Sequence, residues 1–118
     1  MSYVDGYVIP LKKSKVSAYK KMALLGKKIW MEHGAVAYYE CIGANLNVGW
    51  GTSFTKSYKL KPNETIAFSF IIYKSKTHRD KVVKKVYADK RMDMKGFEMP
   101  MDIKRFSVGE FKTIVETK

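Results

Sequence analysis

Tyr3-Val4-Asp5-Gly6-Tyr7-Val8-Ile9-Pro10-Leu11, then a lysine-rich segment, then Trp30-Met31-Glu32-His33-Gly34-Ala35 and Tyr38-Tyr39-Glu40-Cys41 form the stretch that decides the fold. Residues 3–11 read as a strand that Pro10 and Leu11 end. Lys12-Lys13-Ser14 reads as a turn, with Ser14 in the N-cap role. Over residues 15–33, Val16, Tyr19, Ala23, Gly26 and Trp30 recur at three-four spacing, which predicts a helix. Met22, Leu25 and Ile29 widen its apolar stripe, and Lys15, Lys20, Lys21, Lys27 and Lys28 fall largely off it. Gly34 is placed to end the helix at C′. Residues 36–43 read as a second strand, stopped by Gly43.

Working outward, residues 44–64 form a long connection, which suits either a lid or binding loop or a simple hairpin excursion. Within it Gly49 and Gly51 flank Trp50, Thr52-Ser53-Phe54-Thr55 reads as a short extra strand, and Pro62-Asn63 marks a turn. Residues 65–73, Thr-Ile-Ala-Phe-Ser-Phe-Ile-Ile-Tyr, carry the strongest strand signal of the chain. Thr77-His78-Arg79-Asp80 resembles a capping box that opens a second helix over 76–89, with Asp80 as cap and Val82, Val83, Val86 and Tyr87 as its buried face. Residues 90–101 read as irregular, and 104–116 as the last strand, with Gly109 at a bulge or bend. The order β-α-β-β-α-β predicts an α+β, ferredoxin-like sandwich over residues 1–118 as a single domain, with a four-stranded antiparallel sheet and two helices on one face.

The composition narrows the function classes. The net charge is +12, yet 20 of the 23 basic residues are lysine, and only Arg79, Arg91 and Arg105 are arginine. Arginine supplies the bidentate contacts of specific nucleic-acid recognition, so the charge reads mainly as a solvated basic surface. No apolar run is long enough to cross a membrane, and the N-terminus lacks the pattern of a signal peptide. One cysteine excludes an intrachain disulfide and suits a cytoplasmic location. Two histidines and one cysteine are too few for a structural zinc site, and neither metal nor cofactor is expected.

Alternation along the third strand sends Ile66, Phe68, Phe70 and Ile72 to one face and Ala67, Ser69, Ile71 and Tyr73 to the other. The second set is smaller at its start and suits contact with helices. The first is left on the uncovered face, where full exposure forgoes roughly 1.5–3 kcal/mol per side chain. A second copy of the chain, a bound ligand or stacked RNA bases would each cover it. Phe68-Ser69-Phe70-Ile71-Ile72-Tyr73 imitates the aromatic end of the third-strand motif of RRM domains. The basic residue and glycine required before it are replaced by Ile66 and Ala67, which favours burial over stacking on RNA.

The chain resembles the YbaA-like family of uncharacterised bacterial proteins, within the dimeric α/β-barrel superfamily. The resemblance rests on Tyr3-Val4-Asp5-Gly6-Tyr7-Val8, Trp30 with Glu32-His33-Gly34-Ala35, Tyr39-Glu40-Cys41, Thr52-Ser53-Phe54, Glu64-Thr65, Tyr73-Lys74-Ser75, His78-Arg79-Asp80, Met99-Pro100 and Lys104-Arg105, in the family's order. It implies a homodimer in which two sheets close into a barrel and bury Ile66, Phe68, Phe70 and Ile72. It also implies a class, a cofactor-independent enzyme or binding protein for small aromatic or apolar metabolites in the barrel cavity. The residues to test are His33 and Glu40 for proton transfer, and Tyr7, Trp30, Tyr39, Phe68 and Phe70 for ligand contact. The alternative to each is inert: a helix-end histidine favoured by the helix dipole, and a structural strand glutamate. A non-catalytic structural or stress-related dimer is the third reading. Asp5, inside an apolar strand, needs a partner, and Arg105 on the last strand is the expected one.

Overall fold

Helices and strands fall close to where periodicity places them. A computed structural model describes residues 1–93 and 99–117; residues 94–98, part of the stretch expected to be irregular, lie outside the described residues. The strands are β1 (Tyr3–Lys12), β2 (Ala37–Ile42), β3 (Glu64–Tyr73) and β4 (Ser107–Lys112). The helices are α1 (Val16–Glu32), a single turn α2 (Phe54–Ser57) and α3 (Lys76–Ala88). Short 3-10 turns occupy Lys13–Lys15, Lys90–Met92 and Ile103–Arg105. The architecture is α+β: one four-stranded sheet in the order β2-β3-β1-β4, every neighbouring pair antiparallel.

Strand β3 lies inside the sheet and is apolar on both faces. On one, Ile71 and Tyr73 pack with Ile29, Trp30, Val82 and Val86, so α1 and α3 cover the same face. Ala67 of β3 meets Ile9, Leu11, Tyr19 and Ala23 in a second cluster. Burying a side chain such as Ile29 or Ile71 stabilises the fold by roughly 1.5–3 kcal/mol. The opposite face carries Val4, Gly6 and Val8 of β1, Phe68, Phe70 and Ile72 of β3, Tyr39 and Cys41 of β2, and Gly109 and Phe111 of β4. It is open around Phe68, which is 48% exposed, and Phe111, which is 59% exposed.

Local signals were read correctly at some junctions and not at others. Gly34, at φ +107°, ends α1 as expected. Its N–H donates to the Met31 carbonyl at 3.2 Å and the Ala35 N–H to the Trp30 carbonyl at 3.1 Å, the Schellman pattern. Ser14 sits inside a 3-10 turn and caps nothing; α1 begins without a side-chain cap. The extra strand expected at 52–55 is instead α2, because the Ser53 hydroxyl accepts the Lys56 N–H at 3.1 Å and nucleates a turn. Helix α3 is capped by Ser75, which accepts the His78 N–H at 3.1 Å. Asp80 thus lies within the helix and pairs with Lys76 and Arg79. Gly109 lies opposite Gly6 in unbroken register, so no bulge forms. The paired glycines instead leave room for the Phe111 ring, which a Cβ on Gly6 would meet at 2.9 Å.

One buried carboxylate joins four elements. Asp5 is 3% exposed. Its oxygens accept from Arg79 Nε at 3.1 and 3.2 Å and from the Tyr73 hydroxyl at 2.9 Å. Tyr73 in turn accepts from Trp30 Nε1 at 3.0 Å. The partner of Asp5 is therefore Arg79 of α3 and not Arg105, which the 3-10 turn before β4 carries to Glu64. Burial opposes the Arg79 charge, but the bond and charge of Asp5, together with Asp80 and Glu110, outweigh it and hold the guanidinium above its ordinary pKa. A second cluster ties the segment after α3 to the end of α1. Asp89 Oδ2 lies 2.8 Å from His33 Nε2 and 2.7 Å from Arg91 Nη2, and Arg91 also donates to Glu32 at 2.6 Å.

Removing one partner of a buried pair leaves the other charge uncompensated and costs about 3–5 kcal/mol. Asp5→Ala and Arg79→Ala are each expected to destabilise on that scale, with a coupling of about 0.5–3 kcal/mol in a double-mutant cycle measured by urea unfolding. Asp5→Ala with Arg105→Ala is expected to add; coupling there and additivity with Arg79 would reverse the assignment.

The Arg91 guanidinium first, and His33 second, hold the Asp89 carboxyl well below the usual carboxylate range. Arg105 also lowers the Glu64 carboxyl. A carboxyl whose folded pKa is depressed stabilises the fold above its unfolded pKa, and the gain fades as pH falls through the folded value. The unfolding temperature is expected to drop as pH falls below about 4, and Asp89→Asn to flatten part of that slope. An unchanged acid slope in Asp89→Asn would show that this cluster contributes nothing.

Candidate functional site

The sheet is four strands wide, and α1 and α3 pack their buried residues against β1 and β3. Over β1 and β4 this leaves an open cleft of about 650 Å³ between the helix-facing side of the sheet and the helices. Its wall is mainly apolar: Ile9, Ala23 and Ile71 at its base, Met22 and Leu25 on α1, Val108 on β4. A volume of this size, with a few convergent polar groups, is the ordinary setting of a small-molecule site.

Glu40 supplies the most distinctive polar group. Strand period places Tyr38 and Glu40 on the same, helix-facing side of β2, opposite Ile71 and Ser69 of β3. The Tyr19 hydroxyl, from α1, donates to Glu40 Oε1 at 2.5 Å, and the Tyr38 hydroxyl to Oε2 at 2.7 Å. Burial, followed by Glu40 itself, pushes both phenols far above the usual tyrosine range, so they stay protonated donors. Tyr7 is raised likewise, by burial and then by Asp5. A smaller hollow of about 260 Å³ on the β2 side of α1 shares Tyr19, Ala23, Tyr38 and Glu40, so the carboxylate borders both spaces.

The residues singled out from sequence do not form one constellation. Tyr7, Trp30 and Glu40 line the cleft. Trp30 stands with its ring centroid 6.2 Å from that of Tyr38 and 6.4 Å from that of Tyr87. Tyr39, Phe68 and Phe70 lie on the opposite face of the sheet, where Tyr39 stacks on Phe70 at 4.9 Å and Phe68 sits 5.6 Å from Phe70. Alternation requires this split: neighbouring strand residues cannot share a side of the sheet. His33 is the C-cap of α1, engaged with Asp89 and absent from the cleft lining. Ile66 is 2% exposed within the chain, so little of it remains for a partner to cover.

Tyr19 is a functional candidate that the sequence reading passed over. Tyr38 was legible in principle, since it shares the strand face of Glu40. Nothing in the sequence says that Tyr19, 21 residues away, reaches the same carboxylate. In the 44–64 connection Trp50 is 82% exposed, and the Tyr58 hydroxyl donates to Ser107 Oγ at 2.8 Å, tying that segment to β4. Among the described residues, no group of three or more His, Cys, Asp and Glu side chains is placed to hold a metal ion. No helix there is long and apolar enough to cross a membrane.

Comparison with known proteins agrees with the resemblance seen in the sequence. A designed protein of solved structure, "De novo designed protein Foldit4", superposes with a TM-score of 0.50 over 96% of this chain and 99% of its own, at 10% identity, a likeness of fold alone. The chain is 37% identical over 116 residues to "Uncharacterized protein YbaA" of Escherichia coli (strain K12), covering 98% of this chain and 99% of the relative. The protein of the same name from Shigella flexneri matches to the same extent. The family model DUF1428, described as "Protein of unknown function", matches residues 2–103. The chain therefore belongs to the DUF1428 family, and its sequence is YbaA-like from end to end.

Proposed function

We propose that this chain is a small-molecule-binding protein that works as a homodimer, with one ligand site per protomer in the cleft between sheet and helices. The cleft carries the reading: a mainly apolar space of about 650 Å³ whose polar wall includes a carboxylate clamped by two phenols. The ligand site moves accordingly from the interior of a barrel to the helix side of the sheet.

The open face supports the homodimer. In this reading the single domain is a ferredoxin-like sandwich, and two sheets pack by their uncovered faces into an α/β barrel. The centre of that face is apolar and free of charge, from Val4 and Val8 through Phe68, Phe70 and Ile72 to Tyr39 and Phe111. A nucleic-acid platform combines aromatic rings with lysine or arginine beside them. Here the lysines lie on the helices, in the loops and, for Lys12 and Lys112, at strand ends rather than beside these rings, so a second copy of the same apolar face is the better cover. The single exposed cysteine, Cys41, suits a reducing compartment such as the cytoplasm. Proton transfer at Glu40, relayed by Tyr19 or Tyr38, is the catalytic form of the same reading, favoured by the two hydroxyls that converge on one carboxylate.

The neutral dye N-phenyl-1-naphthylamine tests the cleft. It is expected to bind saturably, one per protomer, and to take energy from Trp30 in a Trp50→Phe background. Val108→Arg, which projects a long side chain into the cleft from a surface position, is expected to weaken that binding by about tenfold or more. Unchanged dye binding in Val108→Arg would place the dye elsewhere and remove the support for the cleft.

A further inference from the structure

Charge accounting distinguishes Glu40 from the other carboxylates near the helices. Asp5 and Asp80 are paired with Arg79, Glu32 and Asp89 with Arg91, and Glu64 with Arg105. Glu110 lies 3.5 Å from Lys76 and 3.6 Å from Arg79. All three arginines are thus committed elsewhere. Glu40 accepts only from the neutral hydroxyls of Tyr19 and Tyr38, with no lysine, arginine or histidine nitrogen within salt-bridge distance among the described residues. Two phenols satisfy one lone pair on each oxygen and leave acceptor capacity on both.

The lining has the opposite sign to the chain. The net charge of the protein is +12, yet the charged residues on the cleft wall are Asp5, Glu40 and Glu110 against Arg79 and Arg91. Aromatic rings accompany the unpaired carboxylate: Tyr7, Tyr19, Trp30 and Tyr38. A carboxylate with no cation in salt-bridge contact, among aromatic faces and in an apolar space, is the combination that recognises an organic ammonium ion. The carboxylate supplies a charge-assisted hydrogen bond, and the rings attract the cation through their quadrupoles.

We propose that the ligand of the cleft is an organic amine, protonated at neutral pH and carried on an apolar or aromatic body, with its ammonium group on Glu40. This rests on the small-molecule reading of the cleft and names the class of molecule it takes. The apolar body lies along Ile9, Met22 and Leu25, and the ammonium end supplies the charge that Glu40 lacks.

The test uses Trp50→Phe, which leaves Trp30 as the sole tryptophan reporter. Three probes of similar shape and different charge are titrated: 2-phenylethylamine, 2-phenylethanol and 3-phenylpropionate. The amine is expected to bind about tenfold or more tightly than the alcohol, and the acid more weakly than both. Glu40→Gln is expected to bring the amine down to the affinity of the alcohol. Dye binding with no preference for the amine, or a preference that survives Glu40→Gln, overturns this inference and leaves the cleft reading standing. Failure of the dye and all three probes overturns both. Should Glu40→Gln not fold, the ranking of the three probes on the unaltered Glu40 decides alone.

Discussion

The buried carboxylate of Asp5 is the point on which the helix layer is set. A charge at that depth persists only where its lone pairs are filled and a cation stands beside it. Arg79 fixes α3 against β1, Tyr73 fixes β3, and Trp30 extends the chain of hydrogen bonds to α1. The same bonds determine where the indole of Trp30 stands, and so they shape one wall of the cleft. Structure and candidate function therefore meet in a single network: a change to Asp5 disturbs the packing of two helices and the aromatic lining together.

The second constraint comes from β3, which is apolar on both sides. One side is satisfied within the chain by α1 and α3. The other has Phe68, Phe70 and Tyr39 in contact with each other and with water. Exposure of this kind over the width of a sheet favours a partner surface. The two sides then carry different work. The helix side holds the cleft and Glu40; the open side holds the apolar surface proposed for pairing with a second copy. Tyr39 and Glu40, adjacent in sequence, belong to different tasks because strand geometry sends them to opposite sides.

Much of the fold was legible because it depends on periodicity. The three-four spacing of Tyr19, Ala23 and Trp30, the alternation through 65–73 and the position of Gly34 are local signals, and the structure follows each. What failed was chemistry with several equivalent solutions. Ser14, Ser53 and Ser75 are all plausible caps by type, and only the geometry of the following turn selects Ser53 and Ser75. The partner of Asp5 could not be read, since Arg79 is 74 residues away and Arg105 was as suitable by charge. The site was half legible. Tyr7, Trp30 and Glu40, named from the sequence, all line the cleft, but the side of the sheet on which they gather depends on how helices tile four strands.

The claim that organises the molecule is that its open sheet face is covered by a second copy of itself. Light scattering on the intact chain and on Phe68→Glu, at low and at high salt, addresses it most directly. The account predicts a mass near twice the 13.6 kDa of one chain at both salt concentrations. Apolar association does not weaken as charges are screened, whereas Phe68→Glu is expected to fall to the mass of a single chain. A folded wild-type protein that stays at single-chain mass in both buffers would contradict the account.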